Sequence, residues 1–135
     1  MNITINILEK KIEPFFMDNI KEFTKRLSRY CKIQIKQMKK EQELSKISPS
    51  AGEAHICICA DESVTTSEDF SKKIQDMEIQ GISKCQFYIN CCPDIEGVEE
   101  FSITKLDMAP GLTAAILCEQ IYRGYRIMNG QPYHK

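Results

Sequence analysis

Short alternating apolar stretches take turns with amphipathic helical stretches along these 135 residues, and that order leaves few folds open. Residues 2–8 set apolar Ile3, Ile5 and Ile7 against polar Asn2, Thr4 and Asn6, the period of a strand with one buried face. Pro14 suits a first helical turn. Phe16, Ile20, Phe23, Leu27 and Tyr30 then recur at helical spacing, which predicts a helix over 14–30. Further strands are predicted over 32–38, 54–60, 84–90 and 101–106. Thr66-Ser67-Glu68-Asp69 opens a helix that runs to about Gln80 and stops at Gly81. Pro110-Gly111 precedes a last helix over about 112–128, ended by Asn129-Gly130. The polar segment 39–53, with Ser48-Pro49-Ser50-Ala51-Gly52, reads as a loop holding at most one helical turn.

Strands that alternate with helices predict an α/β fold, a mostly parallel sheet covered on both faces. There is no internal repeat and no linker, so residues 1–135 read as one domain. Ligand sites in such sheets lie at the carboxyl ends of strands, which directs attention to the loops after the third, fourth and fifth strands.

Composition narrows the class further. Hydrophobic content of 42% with 27% charged residues is that of a soluble globular chain. No stretch approaches the roughly 18 apolar residues of a membrane helix, so no membrane partner is expected. The start, Met1-Asn2-Ile3-Thr4, lacks the pattern of an export signal, and the expected location is cytoplasmic. A net charge of -1 argues against a stand-alone nucleic-acid binder held by phosphate contacts. It leaves room for an enzyme that meets RNA over a small, locally basic surface.

Seven cysteines are an odd number. Cys57 and Cys59 alternate with Ile56 and Ile58, and Cys118 lies in a helical pattern. Most read as small buried apolar residues in a reducing compartment. Cys91 and Cys92 have no histidine nearby in sequence to activate a thiolate, and read as buried space-fillers. With no C-x-x-C pair and only His55 and His134 available, no metal is expected.

The last stretch is the most distinctive. It reads Leu117-Cys118-Glu119-Gln120-Ile121-Tyr122-Arg123-Gly124-Tyr125-Arg126-Ile127-Met128, then Gly130 and a terminal Tyr133-His134-Lys135. This resembles the C-terminal signature of the ribosomal RNA large-subunit pseudouridine N3-methyltransferases, a SPOUT-type family. The resemblance implies an alpha/beta trefoil knot, a homodimer in which two chains complete each site, S-adenosylmethionine as methyl donor, and ribosomal RNA as substrate. Carried over residue by residue, the donor site falls at Ile58, at Cys91 and across Ile103, Thr104, Lys105, Leu106, Asp107 and Met108. Tyr133 and His134 take the catalytic place at the chain end, and Arg123, Arg126 and Lys135 face RNA.

The sequence also departs from that pattern. Ile89-Asn90-Cys91-Cys92-Pro93 stands where the family has a glycine-rich loop. Pro110 stands in place of a histidine and Ala114 in place of an arginine. A second reading follows from these departures, a dimeric alpha/beta-knot homologue without catalysis that binds another ligand or partner.

Overall fold

The computed structural model describes residues 1–132, and their core is a five-stranded parallel sheet in the order β2-β1-β4-β3-β5. The strands are β1 (Asn2–Leu8), β2 (Lys32–Met38), β3 (Glu53–Ala60), β4 (Lys84–Ile89) and β5 (Val98–Thr104). The helices are α1 (Pro14–Leu27), α2 (Ser67–Ile79) and α3 (Pro110–Met128), with a short 3-10 helix over Glu41–Lys46.

Connection handedness explains how the two faces are covered. β1→α1→β2 and β3→α2→β4 step the same way across the sheet, so right-handed crossovers put both helices on one face. α3 packs against both of them and completes that layer. The step β4→β5 runs the other way, and the Cys57–Cys92 bond sets connection 90–97 against the opposite face. The helices thus cover one side of the sheet.

Strand alternation sorts the side chains accordingly. Ile3, Ile5, Ile7, Ile56, Phe87 and Ile89 meet Ile20, Leu27, Ile74, Leu117 and Ile121 in one apolar core. The other face is polar but still buried in its middle. There His55 Nδ1 lies 2.8 Å from the Tyr88 hydroxyl, and the Asn6 carboxamide donates to Gln86 Oε1 at 3.1 Å. Burial pushes the thiols of Cys85 and Cys118 up to about 12, so these core cysteines stay protonated and inert, as the sequence suggests.

Boundaries shift where one side of an element is polar. β5 begins at Val98 rather than Phe101, because an edge strand tolerates exposed Glu99 and Glu100. It ends at Thr104, which leaves Lys105 and Leu106 in the following turn. α1 stops at Leu27, and Tyr30 lies in the turn beyond, its ring stacked on Tyr125 with centroids 5.6 Å apart. Pro14 and Pro110 each open a helix, the position where a missing N–H costs nothing. Thr66 caps α2 by accepting from Asp69 N at 3.1 Å, and Gly81 ends it with φ 83°.

The cysteines hold a surprise for the sequence reading. Cys57 and Cys92 are joined in a disulfide with Cα atoms 5.8 Å apart, and Cys92 is exposed rather than buried. Cys57 projects from the polar face of β3, which connection 90–97 crosses, so the fold brings together two cysteines 35 positions apart. Spacing along the chain carries no sign of this.

Candidate active site

The carboxyl ends of β3, β4 and β5 meet in a cleft of about 90 Å³. Its walls are built by Ile58, Cys59 and Ala60 from β3, Ile89 and Asn90 from the end of β4, and Thr104, Leu106, Asp107 and Met108 after β5. Pro110 and Thr113 at the start of α3 close it from one side. Ser102 fixes the β3 and β5 ends to each other. Its buried hydroxyl accepts from Asp61 N at 3.0 Å and lies 2.8 Å from the Thr104 carbonyl.

Five of the eight donor residues expected from the sequence line this cleft: Ile58, Thr104, Leu106, Asp107 and Met108. In the β4 loop the lining residue is Asn90; Cys91 stands beside it, its thiol donating to Ile89 O at 3.4 Å. Ile103 faces a separate cleft of about 320 Å³ between the start of α2 and α3, lined also by Thr66, Ser67, Phe70, Ile116 and Gln120. Lys105 is exposed in the turn after β5. Ser102 and Thr113 were not singled out by sequence, because nothing in their neighbours marks a polar residue as site-forming.

Asn90 shows how a glycine-rich loop is replaced. Its φ is 60°, the left-handed region, and it is the one non-glycine with positive φ among the described residues. Asparagine tolerates that region better than most side chains. Its carboxamide also donates to Leu8 O at 2.9 Å, which ties the loop to the end of β1. Asn90→Val should lose about 1–2 kcal/mol from the left-handed backbone alone and up to about 1 kcal/mol more with the bond to Leu8. Asn90→Gly keeps the backbone freedom and forfeits chiefly the bond. Urea unfolding of both variants checks this; equal stability would remove positive φ as the reason for asparagine.

Arg123 and Arg126 lie elsewhere. Arg123 donates to Glu119 Oε1 at 2.7 Å and to Ser67 Oγ at 3.0 Å, joining α3 to the start of α2. Arg126 donates to the Pro132 carbonyl at 2.6 Å and lies over the Tyr122 ring. Sixteen residues of α3 separate Arg126 from Pro110, a rise of about 24 Å. Within one chain, neither arginine faces the cleft. Tyr133, His134 and Lys135 lie outside the described residues.

A larger concavity of about 460 Å³ lies at the amino ends of the strands, lined by Asn2, Thr4, Lys32, Gln34, Glu53 and Lys84. Its position argues against catalysis, since parallel sheets place their reactive loops at the carboxyl ends. Among the described residues, no group of three His, Cys, Asp or Glu side chains is arranged to hold a metal ion, and no helix is long and apolar enough to cross a membrane.

A parallel α/β sheet with a ligand cleft of this construction defines a broad class of nucleotide- and cofactor-using proteins. Sequence comparison places the chain within it. Residues 1–134 match the family described as "Predicted SPOUT methyltransferase", and the chain belongs to that family. It is 36% identical over 135 residues to "Ribosomal RNA large subunit methyltransferase H 1" of Thermoanaerobacter sp. (strain X514), with both chains covered completely. It is 31% identical over 159 aligned residues to "Ribosomal RNA large subunit methyltransferase H" of Acetivibrio thermocellus and 33% identical over 159 to that of Clostridium tetani, again with full coverage of both chains. The short connections 39–52 and 90–97 are thus compatible with relatives of equal length as well as longer ones.

Does the cleft fit the methyl donor that the family implies? Its chemistry does: Ile58, Leu106, Met108 and Pro110 offer apolar surface to a base, and Thr104 and Asp107 offer polar groups. Its volume is small, about 90 Å³ against the roughly 300 Å³ at which small-molecule sites begin, and its mouth is open to solvent.

Proposed function

We propose that this protein is an S-adenosylmethionine-dependent ribosomal RNA methyltransferase acting on N3 of a pseudouridine in the large-subunit RNA. The observation that supports this reading is a cleft at the carboxyl ends of adjacent parallel strands, lined by Ile58, Thr104, Leu106, Asp107 and Met108, in a chain of the SPOUT methyltransferase family. The donor supplies an electrophilic methyl group. The chain's own contribution is to hold an RNA base in line with it, and such positioning accounts for about 7–11 kcal/mol in favourable cases. No acid–base pair of side chains is obligatory for this work. Ile58, Asn90, Thr104, Leu106, Asp107 and Met108 form the proposed donor site, with Cys91 beside it.

Tyr133 and His134 are proposed to contact the base, with Arg123, Arg126 and Lys135 on RNA phosphate. An arginine fork can hold two phosphate oxygens at once. The length of α3 supports a partner chain in this reading. Three extended residues span at most about 11 Å, whereas Arg126, which binds Pro132, is about 24 Å along α3 from the cleft. In the proposed homodimer, the cleft of one chain is served by the tail of a second copy. Leu106, 70% exposed at the cleft mouth, is apolar surface suited to cover by that copy or by substrate.

The test uses fully reduced protein, tritiated S-adenosylmethionine and ribosomes lacking the modification. Label should enter large-subunit RNA and create a reverse-transcription stop, since a methyl on N3 blocks base pairing. Unlabelled RNA in the presence of folded protein overturns the reading. The non-catalytic alternative draws on Pro110 and Ala114, which replace the family's histidine and arginine, and on the small cleft. It expects no heat on titration with millimolar S-adenosylmethionine.

A further inference from the structure

The disulfide lies behind the proposed donor cleft, on the opposite face of β3, and ties that strand to the connection that follows Asn90. Cys57 directly precedes Ile58, which lines the cleft from β3, and Cys92 follows two residues after Asn90, which lines it from β4. The connection 90–97 has few other anchors; its ties to the sheet include the Asn90 carboxamide on Leu8 and the buried Pro93. In this bridged form the cleft holds about 90 Å³, small for a ligand of nucleoside size. We propose that Cys57 and Cys92 form a reversible thiol–disulfide exchange site for low-molecular-weight disulfides of the glutathione class, the bridged form closing the donor cleft and the dithiol form opening it. The identity of the ligand rests on the methyltransferase reading; the cysteine chemistry does not.

The two sulfurs are placed for different parts of the exchange. Cys92 is exposed and can meet a small disulfide, whereas Cys57 is 5% exposed and is reached only from within the protein. As thiolate, Cys92 attacks the small disulfide, forms a mixed disulfide and expels one small thiolate. Cys57, as thiolate, then attacks the Cys92 sulfur and expels the second. The protein dithiol is oxidised by two electrons, the small disulfide is reduced to two thiols, and the two protons lost by the cysteines are taken up by the leaving thiolates. Excess small thiol runs the sequence backwards. The neighbouring Cys91 is a poor competitor, since its half-buried thiol donates to Ile89 O and burial pushes it up to about 11. In a compartment that holds ribosomes, disulfides are generally transient or sensing rather than structural.

The test compares full-length protein equilibrated with glutathione disulfide and with dithiothreitol. Non-reducing peptide mass analysis should find the Cys57–Cys92 link only in the first sample. Calorimetry should show S-adenosylmethionine binding at least about tenfold tighter in the second, and Cys92→Ser should bind like reduced protein in either condition. Absence of the link after oxidation overturns the proposal, as does a Kd within twofold in both states. Should neither form bind S-adenosylmethionine, the methyltransferase reading falls and hydrogen–deuterium exchange decides the switch separately. Amides of 91–97 exchanging about tenfold faster after reduction uphold it, and equal rates overturn it.

Discussion

Removing residues 133–135 should lower methyl transfer by about a hundredfold or more, the scale of losing a positioned hydrogen-bonding group, with the fold and dimer unchanged. The core lies in the sheet and its helices, and the last described residue, Pro132, is tied mainly through its carbonyl to Arg126. Unfolding midpoints of the truncated and full chains should therefore agree. The length of α3 allows a stricter form of the test. Met108→Arg fills the cleft and should inactivate its own site while leaving the tail intact. Neither variant alone should methylate ribosomal RNA, but an unfolded and refolded mixture of the two should regain activity, because each mixed dimer pairs one intact cleft with the intact tail of the other chain. A mixture as inactive as its components would show that the tail does not act across the dimer. A truncated chain as active as the full one would remove Tyr133 and His134 from the site.

The largest effect on stability should come from Phe87→Ala. Phe87 lies on β4, hydrogen-bonded to β1 and β3 on either side, is 1% exposed, and has its ring 6.3 Å from that of Phe70. Truncating a core phenylalanine costs about 3–5 kcal/mol, against a total stability of about 5–15 kcal/mol for a domain. The urea midpoint should fall steeply with an unchanged slope. A loss under about 1 kcal/mol would mean that the space around Phe87 collapses freely, contrary to its packing between strand and helix layers.

Much of the fold was legible in the chain. The alternation in 2–8, the helical recurrence from Phe16 to Leu27, and the stops at Gly81 and Asn129-Gly130 each follow from local rules that act over a few residues. The family signature on α3 was legible for the same reason, since Glu119, Tyr122 and Arg123 sit at fixed spacing on one helix. The start of β5 was not, because Glu99 and Glu100 show no apolar alternation where an edge strand meets solvent. The site was legible only as positions in loops. That Asn90 takes φ 60°, that Ile103 turns toward α2 while Thr104 faces the cleft, and that Arg126 ends up about 24 Å along α3 from Pro110 depend on how separate elements pack.

The cysteines mark the division most clearly. Sequence by itself determined that Cys57 alternates with Ile56 and Ile58 on a strand, and hence that it projects to the face opposite them. It could not determine that Cys92 would meet it there. That required β5 to lie beyond β3, so that a right-handed connection from β4 crosses the polar face above Cys57. Periodicity is a property of neighbours in the chain. Strand order is decided by the packing of the whole sheet, and with it which residues distant in sequence come to share a cleft.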